Sequence, residues 1–152
     1  MTAARPRILA IDDTPENLVL LATALEKEFD LQLAASGLAG LALAAASPPD
    51  LILLDVMMPQ MDGFETCRRL KADPSLAAIP VIFITALSDV ESEVMGLKVG
   101  GADFITKPIR VELVRQRVRN ILKLTQLSLE LQRSEERLSL VMDVTGDGIW
   151  DW

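Results

Sequence analysis

Histidine is missing from this chain altogether. That removes imidazole general bases, imidazole metal ligands and any phosphohistidine of the chain's own. Cysteine occurs once, as Cys67, so no intramolecular disulfide can form and a reducing cytoplasm is the expected setting. Aromatic residues make up only 4% of the chain, so the core has to be filled by Leu, Ile, Val and Ala. Basic residues are short as well, 15 against 22 acidic, for a net charge of −7. A nucleic-acid groove or an anionic membrane surface calls for clustered Lys and Arg, so neither is an expected partner. No apolar run approaches the roughly 20 residues of a membrane span. The N-terminus has only four apolar residues between Arg7 and Asp12, too few for a signal peptide.

What is present is a hydrophobic chain, 50% apolar over 152 residues, enough for one domain and a remainder. Five apolar strand segments alternate with helical patterns. The strands are expected at Arg7–Ile11, Leu31–Ala35, Asp50–Leu54, Val81–Ile84 and Asp103–Ile105. Four helices are expected between them. Pro15–Glu28 has Leu18, Leu21, Ala22 and Leu25 inward and is capped by Thr14 or Asp13. Gly37–Ala46 has Leu38, Leu41, Ala42 and Ala45 inward. Phe64–Ala72 follows, and Asp89–Val99 has Val90, Val94 and Leu97 inward. A fifth helix starts near Arg110. Unbroken apolar strands alternating with helices imply a doubly wound parallel sheet of the α/β class.

The fifth helix has no stop signal where a domain would end: no Gly or Pro lies between Arg110 and Asp143. Val111, Val114, Val118 and Ile121 make a stripe suited to the domain core. From Leu124 the spacing becomes heptad-like, through Leu127, Leu131, Leu138 and Val141, with Ser134 as a polar gap. A lone helix has nothing to bury such a seam against, and a two-stranded coiled coil would cover it. Packing back on the chain's own domain is the alternative.

The chemistry gathers at the strand ends. Ile8–Ile11 runs into Asp12 and Asp13, Leu51–Leu54 into Asp55, Val81–Ile84 into Thr85, and Phe104–Ile105 through Thr106 into Lys107. In a parallel sheet these ends meet at the carboxyl edge, where open α/β folds bind ligands. Three carboxylates brought together repel and call for a cation. With oxygen ligands alone, a hard ion such as Mg²⁺ is the natural occupant. Lys107 and Thr85 suit a phosphoryl oxygen, and Asp55 suits a carboxylate nucleophile. Taken singly, Asp12, Asp13 and Thr85 could be helix caps and Lys107–Pro108 a turn.

Four segments carry a resemblance. They are Ile8-Leu9-Ala10-Ile11-Asp12-Asp13, Leu53 through Gly63, Ile79 through Ala86, and Gly101 through Pro108. In order and spacing they resemble the receiver domain of two-component response regulators over residues 5–123. The resemblance implies a flavodoxin-like strand order 2-1-3-4-5, the order the fold's general description gives for such receivers. It implies Asp55 as phosphoacceptor, and Mg²⁺ held by Asp12, Asp13, Asp55 and the Met57 backbone carbonyl. Thr85 and Lys107 would contact the phosphoryl group, Phe104 would be a switch residue beside Thr85, and the Lys107–Pro108 bond would be cis. The donor would be a histidine kinase or phosphotransfer protein. Further on, Glu135 through Leu138 and Val141 through Trp152 are similar to the opening of a PAS domain.

The expected organisation is therefore a receiver over 1–123, a helical coiled-coil linker over 124–143, and the start of a PAS-like module over 144–152. An output such as a diguanylate cyclase or sensor kinase would follow in the parent protein, and the chain would pair as a homodimer through the long helix. Three other readings remain. An aspartyl-nucleophile phosphatase would show an Asp-x-Asp-x-Thr pattern, which is absent around Asp55. A flavodoxin-like cofactor carrier would want a Ser/Thr/Gly-rich loop after the first strand, where this chain is acidic. A degenerate receiver serving only dimerisation would not need the intact acidic set.

Overall fold

The computed structural model describes residues 5–86 and 90–145, with side chains of the last helix described as far as Glu135. Five strands, β1 (Arg7–Ile11), β2 (Asp30–Ala34), β3 (Leu51–Asp55), β4 (Val81–Thr85) and β5 (Asp103–Thr106), form one parallel sheet in the order β2-β1-β3-β4-β5. Helices α1 (Pro15–Leu25), α2 (Gly37–Ala46), α3 (Gly63–Ala72), α4 (Val90–Lys98) and α5 (Val111–Thr145) cover it. This is the expected doubly wound α/β fold, with every strand within one residue of its expected bounds. α1 ends sooner than its apolar pattern suggests, because the backbone turns between Leu25 and Phe29 to deliver Asp30 to the sheet.

The continuous apolar runs follow from burial on both faces. Ile8 and Ala10, Leu51 and Leu53, and Ile82 and Ile84 join Leu21, Ala24 and Leu25 of α1 and Val114 and Val118 of α5 in one core. Their alternates Leu9, Ile11, Ile52, Leu54, Val81 and Phe83 join α2, α3 and the end of α4 in the other. Side chains alternate across a strand, so a strand feeding two cores has no polar position to spare.

Two helices pack differently from expectation. On α2, the expected Leu41 packs on the core, but Leu38 is 57% exposed and Ala42 and Ala45 are also exposed, while the fully buried positions are Gly37, against α3, and Gly40 and Ala44. A Cβ on Gly40 would sit 2.3 Å from Ile11 Cδ1, and one on Gly37 2.4 Å from Thr66 Oγ1. The spacing 37, 40, 44 is a helical stripe of the smallest residues. It is invisible to a search for large apolar side chains, yet it sets how close α2 lies. On α4, Val90, Val94 and Leu97 are exposed, and Gly96 and Val99 turn inward. A Cβ at Gly96 would meet the Phe104 ring at 2.2 Å, so the ring of β5 takes the space a side chain would fill. In α1 the buried small residue is Ala24, not Ala22.

α5 is a single helix of 35 residues running past the domain without a break. Its first turns are tied down on two sides. Arg115 Nε donates to the Ala24 carbonyl at 3.0 Å, and Arg119 pairs with Glu28 beyond the end of α1. Arg117 pairs with Asp103 of β5 at 3.2 Å. Beyond Ile121 the side chains of Leu124, Leu127 and Leu131 are exposed. The expected opening of a PAS-like module lies, from Gly146 onward, outside the described residues. Among the described residues, no helix is long and apolar enough to cross a membrane.

Candidate functional site at the carboxyl edge of the sheet

Register decides which side chains meet. Ile11 pairs with Leu54 and Asp55 with Ile84, so Asp12 follows β1 beside Asp55, and Thr85 ends β4 one step beyond. The Lys107 N–H donates to the Thr85 carbonyl at 2.8 Å, which fixes the turn after β5 against the same edge. One carboxylate oxygen from each of Asp12, Asp13 and Asp55 lies within 4.8 Å of the others. Lys107 Nζ stands 3.1 Å from Asp55 Oδ1. Asp12, Asp13, Asp55 and Lys107 thus come together at the carboxyl edge, and Thr85 ends the neighbouring strand there. Lys107–Pro108 is cis. Met57, two residues after Asp55, lies in the loop after β3 with its side chain exposed.

The three carboxylates are not equivalent. Asp12 is fully buried and both its oxygens are engaged: the Thr14 backbone N–H donates to Oδ1 at 2.9 Å and the Asn17 amide to Oδ2 at 3.1 Å. Thr14, at the N-cap position of α1, makes no side-chain cap bond. Asp13 is exposed. Asp55 is 1% exposed, and neither of its oxygens has a hydrogen-bond partner among the described residues. The Lys107 ammonium, 3.1 Å from Oδ1, pairs with it as an ion. Burial pushes the Asp55 pKa from the ordinary 3.8 up to about 6. Lys107 opposes that rise, and the neighbouring Asp12 and Asp13 charges add to it. A buried carboxylate with orphaned oxygens beside two more carboxylates is a site built for a cation, and its all-oxygen donor set fits a hard divalent ion.

The loop after β3 holds Asp55 in place. The Gly63 N–H donates to the Val56 carbonyl at 2.9 Å, and a Cβ on Gly63 would lie 2.3 Å from the Asp55 carbonyl oxygen. The start of α3 therefore rests directly on the backbone of Asp55, which demands glycine. Asp62 caps α3 through the Glu65 N–H at 2.8 Å. The left-handed residue of this loop is Gln60, at φ 68°. On the far side, the Phe64, Phe83 and Phe104 rings pack in series, edge-on and then tilted, with centroids 5.3 Å and 5.4 Å apart. They run from the start of α3 to Gly96 of α4.

Comparison with known proteins agrees with this geometry. The response regulator receiver domain family matches residues 8–119. The chain belongs to the response-regulator receiver family. The receiver is 45% identical over 130 residues to the response regulator PleD of Caulobacter vibrioides, covering 85% of this chain but 29% of that protein. It is 37% identical to protein PilH of Pseudomonas aeruginosa, covering 76% of this chain and 97% of that one. Among solved structures, the signal receiver domain of a signal transduction histidine kinase from Syntrophus aciditrophicus superposes with a TM-score of 0.71. That pair is 37% identical, covering 78% of this chain and 90% of the other.

Asn17 was not among the residues singled out from the sequence, although it sits four residues past Asp13 on the first turn of α1. A neutral amide there carries no charge signature, and only the fold reveals what it touches.

The Asp55 environment predicts a pH signature. Its folded pKa lies above the unfolded value, so its favourable contribution is complete below pH 3.8 and is lost as pH rises through about 6. At pH 7 without metal, the charged carboxylate costs roughly 2–3 kcal/mol. Asp55→Asn should therefore raise the urea midpoint at pH 7 and flatten the fall in stability between pH 4 and 6. Equal pH profiles for the two proteins would contradict the assignment.

Proposed function

We propose that this receiver accepts a phosphoryl group on Asp55 from the phosphohistidine of a histidine kinase or phosphotransfer protein. The observation that carries the reading is the pair of orphaned, buried Asp55 oxygens between two carboxylates and Lys107. An Asp55 oxygen attacks phosphorus, the phosphorus–nitrogen bond breaks, and the donor imidazole leaves with the electron pair. The product is an acyl phosphate. Asp12, Asp13, Asp55 and the Met57 carbonyl would hold Mg²⁺, which supplies positive charge against the carboxylates and phosphoryl oxygens. Lys107, freed from its ion pair with Asp55, follows the new anion, and the Thr85 hydroxyl donates to it.

Phosphorylation replaces the single carboxylate charge of Asp55 with a phosphoryl group carrying about −1.5 to −2. Thr85 and Phe104 are the switch pair in this reading. Thr85 is buried on the strand next to Phe104, whose ring already lies under Gly96 of α4 and against Phe83. A shift of Thr85 toward the phosphoryl group frees volume on that side. Repacking of Phe104 then moves α4 and the root of α5. From there the long helix carries the change through the linker at 124–143 to the PAS-like module that begins at 144, and to an output such as a cyclase or kinase. The chain spans less than a third of PleD, in keeping with a receiver that is one part of a larger protein. The lone cysteine and the family's signalling role support a cytoplasmic location.

The exposed leucines at 124, 127 and 131 support a parallel homodimer through α5, with Ser134, Leu138 and Val141 continuing the seam in sequence. Parallel pairing sets two downstream modules side by side.

Two experiments test these readings. With Mg²⁺ and a small acyl-phosphate donor, the wild type should gain one phosphoryl group by intact mass, while Asp55→Asn and Asp13→Ala gain none. Metal-dependent labelling of Asp55→Asn would refute the acceptor, and robust labelling of Asp13→Ala would refute the ligand set. For the dimer, sedimentation equilibrium should give weaker self-association after truncation at Ile121 and in Leu131→Asp, which places an unpaired charge in the seam. The same association for all three chains would remove the coiled coil.

A further inference from the structure

We infer that Asn17 is a positioning residue for the carboxylate cluster. By holding Asp12 Oδ2, its side-chain amide fixes how the Asp12 carboxylate is presented, and so sets the site's affinity for Mg²⁺ and its preference for Mg²⁺ over Ca²⁺. The inference rests on the cation reading given above.

Asp12 is the one carboxylate of the three that is both fully buried and clamped at both oxygens. Thr14 provides a backbone donor from the loop. Asn17 provides the second donor from the first turn of α1, a helix packed on the sheet through Leu21, Ala24 and Leu25. Two donors on two oxygens stop the carboxylate from rotating. Asp12 can then offer its remaining lone pairs in one direction only, as a fixed acceptor rather than a two-oxygen chelate. Mg²⁺ demands a near-ideal octahedral shell and gives up its waters reluctantly, whereas Ca²⁺ accepts more oxygens in looser geometry. A fixed single acceptor therefore favours the smaller ion.

The residue type matters as much as its place. A Lys at 17 would cancel the negative charge that draws a cation to Asp12, Asp13 and Asp55. A fourth carboxylate would add repulsion. A neutral amide orients the ligand and leaves the charge of the cluster unchanged. Outer partners of this kind tune metal affinity without touching the metal.

The test is calorimetric titration of the unphosphorylated full chain with MgCl₂ and, separately, CaCl₂. Wild type, Asn17→Leu and Asn17→Gln are compared, with urea midpoints measured in the absence of metal. Asn17→Leu should weaken Mg²⁺ binding by about tenfold or more. It should weaken Ca²⁺ binding much less, because a released Asp12 can chelate the larger ion. Asn17→Gln, which keeps an amide donor, should recover part of the Mg²⁺ affinity. Two results overturn the inference while leaving the cation site standing. One is Mg²⁺ affinity within about twofold of wild type in Asn17→Leu, even if its urea midpoint falls, since the bond would then be merely structural. The other is an equal loss in the Leu and Gln variants. A wild type that binds neither ion overturns the cation reading and this inference with it.

Discussion

A carboxylate at the end of a fully buried strand is the constraint on which this molecule turns. Every residue of β3 is buried, and its last side chain, Asp55, finds no hydrogen-bond donor among the described residues. An uncompensated charge in such a place costs several kcal/mol. The fold answers by bringing Lys107 from the far edge of the sheet, and it makes matters worse by adding Asp12 and Asp13 from β1. A structure selected for stability alone would not place three acids there. Three clustered acids beside one ammonium call for further positive charge from outside.

The rest of the architecture keeps that carboxylate where it is. The parallel register sets Asp12 and Thr85 beside it. The close approach of Gly63 to the Asp55 backbone leaves no slack between Asp55 and α3. Phe64, next in sequence, begins the row of rings that ends under α4. Strain introduced at Asp55 therefore has short, packed routes to the surface, one through α3 and the rings and one through Thr85 and Phe104. The ion pairs of Arg115, Arg117 and Arg119 are surface interactions of modest strength. Their effect is to fix the angle at which α5 leaves the domain.

Much of this was legible in the sequence because the strands are extreme. Runs such as Leu51–Leu54 and Val81–Ile84 have no polar position, which specifies a two-faced parallel strand, and each stops on a polar residue that marks the sheet edge. The expected site residues accordingly converge. Helix faces were less legible. On α2 the fully buried positions are the small residues Gly37, Gly40 and Ala44, with the expected Leu41 packed beside them but Leu38 exposed; on α4 the buried position is Gly96, while Val90, Val94 and Leu97 are exposed. Hydrophobicity alone therefore misjudged which side of these helices packs. Contacts that depend on shape rather than type also escaped notice: Gly63 against Asp55, and Asn17 against Asp12. The slip of the apolar stripe between Ile121 and Leu124 was readable because it coincides with the point where α5 leaves the domain.

The central claim is that Asp55 is a buried carboxylate held in an unsatisfied state that a cation relieves. Carbon-13 NMR titration of the Asp55 carboxyl group, assigned by comparison with Asp55→Asn, measures this directly. Without divalent metal the account predicts a pKa of about 6. With saturating Mg²⁺ it predicts a value moved below the ordinary 3.8, because a bound cation favours the charged form. A metal-free value near 3.8, or one that Mg²⁺ leaves unmoved, would contradict it.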